Sequence, residues 1–556
     1  MTSKITVADA FLKELERLGV DTVFGIISIH NIPFYDSLQR HGGFRVVTAR
    51  HEGAAVNMAD AYSRVSGKLG VVFTSTGTGA GNAAGAIIES WNGGAPLLHI
   101  TGNVASSFLE TGRGYIHDCK DQLGMLKSIS KGAHRVRHAE QAPVVFRRAI
   151  AEAMQPPPGP VSVEIPIDIQ AAHIDGPASL EPAAIEPARP LERELDDLAQ
   201  RLASAKRPLL WLGGGARHAV AAVRRFADLG FGVVTSVQGR GVIPEDHPLS
   251  LGAFNLHEPI ERFYATCDAM LVVGSRLRSN ETLTYKLKLP RPLYRIDVDP
   301  QQQGRCYTDD FFVVGDSALV LTGLADRLAG RMKLDAAFAQ DLAAARDAAR
   351  VLVTDGLGPY QQLVEELQRA ARRSFVWVRD VTISNSTWGN RSLAIAGPRD
   401  GVHALGGGIG QGVQMALGAA LAADGRKTFC LVGDGGLQVN IGELITLVQE
   451  KADVVILLMN DCGYGVIRNI QDAQYGGRRY YSDLHTPDFG ALAAAIGLPH
   501  YRVPDLGAMR QVLPEAVAMR GPVMVEIDMQ SIGGFTKQFA GPPVRKPAAL
   551  EEDTHG

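Results

Sequence analysis

Short apolar runs alternate along this chain with longer segments whose apolar residues recur every three or four positions. The runs predict strands buried on both faces, and the periodic segments predict amphipathic helices. In the first third the pattern gives helix Ala8–Leu18, strands Thr22–Gly25 and Phe44–Thr48, helix Ala54–Ser66, strand Leu69–Thr74, helix Asn82–Trp91 and strand Pro96–Thr101. The middle gives strand Pro208–Leu212, helix Ala219–Leu229, and strands Gly232–Val237, Ala269–Val273 and Leu293–Asp297. The last third gives helix Pro359–Ala371, strand Phe375–Asp380, helix Val413–Ala422, and strands Lys427–Gly433, Asp453–Met459 and Val523–Ile527. Between Gly433 and Asp453, the stretch Asn440–Lys451 places Ile441, Leu444, Ile445 and Val448 on one helical face. Such alternation predicts an α/β protein with three doubly wound parallel-sheet domains. The expected divisions are 1–176, a Pro/Ala/Glu-rich linker 177–190, a middle domain 191–335, a linker 336–357, a last domain 358–530 and a tail 531–556 that is disordered or closes over substrate.

Two acidic residues then fall where such sheets bind ligands. Asp434, in Gly433-Asp434-Gly435-Gly436, and Asp461, after Asn460, stand at the carboxyl ends of adjacent predicted strands. Gly435 and Gly436 let the backbone approach closely, and a helix starting near Asn440 presents amides to an anion. Two hard oxygen ligands beside an anion-binding turn suit Mg²⁺ holding a diphosphate. The whole stretch resembles the thiamin-diphosphate motif, a GDG followed at about this distance by a pair that is usually Asn-Asn. The resemblance implies that Asp434, the Asp461 side chain and the Gly463 carbonyl ligate the metal. Here the second Asn of the pair is Asp461, which keeps an oxygen ligand and adds a negative charge.

Other stretches extend the resemblance over nearly the whole chain. Arg50-His51-Glu52-Gly53-Ala54-Ala55 is similar to the RHE-x-A stretch of acetolactate-synthase-like thiamin enzymes. There the glutamate bonds N1′ of the aminopyrimidine and favours the imino tautomer, whose 4′-nitrogen takes the C2 proton. Gly77-Thr78-Gly79-Ala80-Gly81 fits no dinucleotide fingerprint and is expected as a coenzyme-adjacent turn. Ala404–Gly410 resembles the segment in which the Gly407 carbonyl accepts from the 4′-amino group and Ile409 is the wedge that bends the coenzyme. His403 aligns with a benzaldehyde-lyase histidine near the diphosphate end. His30 falls in a loop where benzaldehyde lyase and some 2-oxo-acid decarboxylases carry a histidine. His117, in Gly112–Asp118 before Asp121-Gln122, looks closest to the RG-x-x-HE-x-x-DQ pattern of guanidino-oxo-acid decarboxylase-like enzymes. His30 and His117 are therefore candidates for proton transfer beside Glu52.

Composition narrows the class. The 556 residues are 46% hydrophobic and 21% charged with net charge −3, which argues against non-specific binding of nucleic acid or acidic membranes. Five scattered cysteines fit a reduced cytoplasm. The middle domain, with Gly213-Gly214-Gly215 and Ile296–Pro300, resembles one that binds FAD or ADP in some relatives and nothing in others; Arg276 and Asp297 are candidates there. The resemblance implies a homodimer or homotetramer with coenzyme sites at the dimer interface, and a small carbonyl substrate. The expected activity is a 2-oxo-acid decarboxylase or carboligase. The alternatives are a benzaldehyde-lyase-like acyloin lyase, an acetolactate synthase or a catalytically silent coenzyme-binding protein. Ile470, where acetolactate synthases carry a Trp, speaks against the third of these four.

Overall fold

Strands apolar on both faces must be covered by helices on both sides, and each predicted domain does this around its own sheet. The computed structural model describes residues 4–176, 185–371 and 375–541. After β1 (Lys4–Thr6), the first sheet is built from β2 (Thr22–Gly25), β3 (Arg45–Thr48), β4 (Gly70–Thr74), β5 (Leu97–Asn103), β6 (Gly132–Arg135) and β7 (Pro160–Pro166). All pair in parallel, in the order β3-β2-β4-β5-β7-β6. β8 (His173–Asp175) then closes antiparallel on β1. The middle sheet holds β9 (Pro208–Leu212), β10 (Gly232–Thr235), β11 (Ser250–Gly252), β12 (Ala269–Val273), β13 (Leu293–Asp297) and β14 (Phe311–Val314), ordered β11-β10-β9-β12-β13-β14. The last holds β15 (Phe375–Arg379), β16 (Gly401–His403), β17 (Lys427–Gly433), β18 (Val454–Asn460), β19 (His500–Val503) and β20 (Val523–Asp528), ordered β16-β15-β17-β18-β20-β19. The first and last sheets thus share one strand order, and the middle differs.

The first and last domains are fused through helices Glu52–Ser66 and Gly412–Leu421. Both are rich in Ala and Gly, which lets their backbones approach closely; a Cβ on Gly418 would lie 2.0 Å from the Met58 carbonyl oxygen. One apolar cluster runs through Ala55, Met58 and Ala59 to Met415, Ala416 and Ala419. Several predicted elements shift. The stretch read as linker 336–357 carries helix Phe338–Asp355, whose Phe338, Leu342 and Ala349 are buried on the middle domain. The stretch Asn440–Lys451 is helical only over Glu443–Gln449, and Ile445 is 46% exposed rather than buried. Within the predicted tail, Tyr360 donates to the Gly533 carbonyl at 2.6 Å and Gln474 to that of Ala540 at 2.8 Å. The rest of that tail, 542–556, and most of the predicted linker, 177–184, lie outside the described residues.

His99 sits inside the first sheet, its ring bridging the hydroxyls of Thr74 (2.8 Å) and Ser162 (3.0 Å). Burial lowers its pKa to about 3. An unfolded histidine takes a proton near pH 6.5. Below that pH the unfolded chain therefore gains a proton that the fold refuses, and stability falls as pH drops from about 6.5 toward 3. His99→Asn is expected to flatten this acid loss in a scan of Tm against pH; a slope equal to wild type contradicts it.

Candidate active site

The last sheet brings its two acids together. β17 and β18 pair in parallel with Gly433 opposite Met459, so Asp434 and Asp461 emerge side by side at the carboxyl ends. Here the helix starts at Asp434 itself, running to Val439 with Gly433 as its cap, earlier than the periodicity predicts. The turn is closely packed: a Cβ on Gly435 would come 2.8 Å from the Tyr464 ring and one on Gly436 3.0 Å from Asp380. Cys462 takes φ 56°, a left-handed turn that folds the chain back. The Gly463 carbonyl oxygen then lies 3.3 Å from where a Gly435 Cβ would be.

Asp434 is fully buried. Its Oδ1 accepts from the Asp461 N–H at 3.2 Å, while Oδ2 has no hydrogen-bond partner. Burial, then the Asp461 charge, push its pKa up to about 7. Burial also raises Asp461, against the pull of Arg468, whose guanidinium lies 2.9 Å from Oδ2. Two crowded carboxylates, an orphaned oxygen and a carbonyl form a hard-oxygen set that fits Mg²⁺.

Beside this site, β16 runs into Ala404–Gly410. Gly407 and Gly410 have φ of 84° and 80°, conformations that favour glycine. Between them Ile409 is 39% exposed. Asp380, at the end of β15, accepts from the N–H groups of Gly410 (3.0 Å), Gln411 (3.1 Å) and Gly412 (3.1 Å) and so caps helix Gly412–Leu421. His403 is buried, and its pKa is pulled well down by burial and by the charges of Arg379, Arg64, Arg278 and Arg217. Its carbonyl accepts from Arg64 at 2.9 Å, which places it toward the junction of the three domains.

In the first domain His51 caps helix Glu52–Ser66, so Glu52 occupies the first turn. Its Oε2 accepts from Asn82 at 3.0 Å, and its Oε1 lies 3.0 Å from where a Gly79 Cβ would be. The glycine turn predicted at 77–81 is mostly helix: Gly77, at φ 57°, caps Thr78–Gly93. A Cβ there would sit 2.2 Å from the His117 carbonyl oxygen. The His117 ring lies 5.2 Å from that of His30. His30 is buried with both ring nitrogens unpartnered, and His117 Nδ1 is unpartnered too. Burial and then His117 lower the His30 pKa. Glu443 accepts from the N–H groups of Arg50 (2.9 Å) and His51 (3.0 Å), tying the two domains just before Glu52. Among the described residues, no hydrogen bond, ion pair or ring contact joins Glu52, His30 or His117 to Asp434, Asp461 or Gly407 within the chain.

Comparison with known sequences covers the same three regions. Residues 5–125 match the N-terminal TPP-binding domain of thiamine pyrophosphate enzymes, 195–324 their central domain and 380–527 their C-terminal TPP-binding domain. The chain belongs to the thiamine pyrophosphate enzymes. It is 33% identical over 533 residues to a probable 2-ketoarginine decarboxylase of Pseudomonas aeruginosa, covering 94% of each chain. It is 28% identical over 546 residues to a probable acetolactate synthase large subunit of Methanocaldococcus jannaschii, covering 94% of this chain and 91% of that one. The acetolactate synthase large subunit of Haemophilus influenzae is 29% identical over 546 residues, with 95% of each covered. These matches agree with the decarboxylase or carboligase reading of the sequence.

In this thiamine pyrophosphate enzyme the sequence left several site neighbours unmarked. Asn82, Asp380, Glu443 and Arg468 each hold a predicted site residue or its loop. Asp380 carried a signal, since it ends a predicted strand as Asp434 does. The other three gave none, because helix residues reveal their partners only when the helices pack. The middle sheet adds a cavity of about 390 Å³ lined by Gly213–Gly215, Arg217, Arg276 and Asp297. Among the described residues no helix is long and apolar enough to cross a membrane.

Proposed function

We propose that this enzyme is a magnesium-dependent 2-oxo-acid decarboxylase whose substrate carries a polar, guanidino-type side chain. The observation that supports it best is the His30–His117 pair, 5.2 Å apart, with ring nitrogens unpartnered and so able to hand a proton to product carbon. The likeness to a probable 2-ketoarginine decarboxylase supports the side-chain class. Asp434, Asp461 and the Gly463 carbonyl would hold Mg²⁺, which would supply positive charge for the diphosphate, with Gly433, Gly435 and Gly436 giving the backbone its close approach. Glu52 holds the proton at the aminopyrimidine N1′. The Gly407 carbonyl would hold the 4′-amino group, and Ile409 would pack against the coenzyme. Bound thiamin diphosphate supplies an electron sink for the pair left when the bond to carbon dioxide breaks. Gly77 sets the His117 backbone beside this pocket.

The site is shared between protomers in this reading, Glu52 of one facing Asp434 of the other, in a homodimer or a tetramer of such dimers. Two facts support that: among the described residues no hydrogen bond or ion pair joins Glu52 to Asp434 within the chain, and Ile27, Ile29, Ile409, Val439 and Ile445 are exposed. All five cysteines are free, as suits a reducing cytoplasm. The middle cavity is read as a nucleotide site, because its sheet has the strand order of dinucleotide-binding domains and its walls carry glycines and arginines.

The test is a panel of 2-oxo acids, with and without guanidino and amino groups, supplied with Mg²⁺ and thiamin diphosphate. Carbon dioxide release is expected to exceed ligation, with the guanidino acids leading in kcat/KM. Absence of carbon dioxide from every acid rejects the proposal. Adenine or flavin absorbance released from the same purified preparation reports on the middle cavity.

A further inference from the structure

The segment Leu405–Gly410 contains four glycines and only two larger side chains. Such a segment has little to fix its own conformation. It is held instead by two buried carboxylates, one at each end. Asp380 takes the N–H groups at the exit, from Gly410 to Gly412. Glu89 takes those at the entrance: one oxygen accepts from Leu405 and the other from Gly406, both at 2.6 Å. Gly407 and Ile409 lie between the two clamps.

We propose that Glu89 is a positioning residue that sets the Gly407 carbonyl against the coenzyme from outside the domain that carries the loop. This rests on the thiamin-diphosphate reading of Gly407 given above. Glu89 belongs to helix Thr78–Gly93 of the first domain and is 2% exposed. Seven positions earlier on the same face, Asn82 holds Glu52. Two turns, about 10 Å, separate these contacts, so the clamp hangs from a helix anchored at both points. A Cβ on Gly406 would stand 2.7 Å from Glu89 Oε2, so the glycine lets the carboxylate sit this close without shifting. Arg278 of the middle domain fixes the Leu405 carbonyl at 3.1 Å. The plainer role for Glu89 is partner to buried Arg64. That contact is the longer one, 3.3 Å, and Arg64 also has Asp60 at 2.9 Å and the His403 carbonyl. Charge-assisted N–H bonds of 2.6 Å are the stronger use of the carboxylate.

Glu89→Gln keeps the size but offers an NH₂ to one of the two donors. Glu89→Asp keeps the charge beside Arg64 but shortens the reach to the loop, and decides the matter if the Gln variant does not fold. Binding of thiamin diphosphate and of inorganic diphosphate, each with Mg²⁺, is measured on full-length protein by calorimetry. Thiamin diphosphate is expected to bind about tenfold more weakly, the scale of one lost charge-assisted hydrogen bond, with inorganic diphosphate unchanged. The kcat is expected to fall more than KM moves. Equal loss of both ligands, or loss of neither, overturns the proposal. Wild-type protein that binds no thiamin diphosphate instead overturns the functional reading.

Discussion

Glu52→Gln is expected to lower kcat by roughly 10²–10⁴-fold, the usual span for removing an acid–base group. Coenzyme affinity should change only a few-fold. The structure separates these two effects. A glutamine at this position keeps its contact with Asn82 and its seat beside Gly79. What it lacks is an oxygen able to share a proton with the pyrimidine nitrogen. The variant should also exchange the coenzyme's C2 hydrogen more slowly by a comparable factor, read by NMR on the loaded protein. Exchange at the wild-type rate would remove Glu52 from the chemistry.

The second large effect is expected at Asp434. Asp434→Asn should weaken Mg²⁺-dependent coenzyme binding by at least the roughly 10–100-fold that loss of a ligand's outer partner costs, since it removes charge from a hard-oxygen ligand set. It should also raise the Tm of the coenzyme-free protein. Asp434 is buried beside Asp461 with one oxygen unpartnered, so its charge is costly until a cation arrives. The sign with pH follows from its pKa near 7, above the ordinary carboxylate value of 3.8. The folded state holds this proton more tightly than the unfolded chain, so that contribution to stability is present at low pH and lost as pH rises through 7. The gain from Asp434→Asn should therefore be absent below about pH 4, grow between pH 4 and 7 and be complete above 7. Thermal scans with and without Mg²⁺ and coenzyme, at two pH values, check both parts. A variant that keeps a wild-type coenzyme shift in Tm would exclude Asp434 as a ligand.

Much of this site was legible before the fold was known, for a definite reason. The strand β17 was bounded at Lys427 and Gly433 by its apolar run, and β18 differed by one residue at each end. Acids just beyond such runs must lie at one edge of a parallel sheet. Glycine-rich stretches misled in the other direction. The segment 77–81 reads as a turn by propensity, yet is mostly helical, because Gly79 must pass close to Glu52 and Ser75. Ile445 followed the buried face by spacing and is exposed, because the helix is shorter than its pattern and turns that side outward. The stretch 336–357 has few turn breakers to offset its charge, and its buried Phe338 and Leu342 make it a packed helix.

By itself the sequence determined the coenzyme class, the three sheets and the placing of Asp434 and Asp461 at adjacent strand ends, because short-range patterns encode strands and the turns that follow them. Tertiary structure alone decided that Glu89 and Asp380 grip one glycine-rich loop, that His30 meets His117, and that Asn82 holds Glu52. Those pairings join residues far apart along the backbone, and only the packing of helix on helix and sheet on sheet gives them a distance.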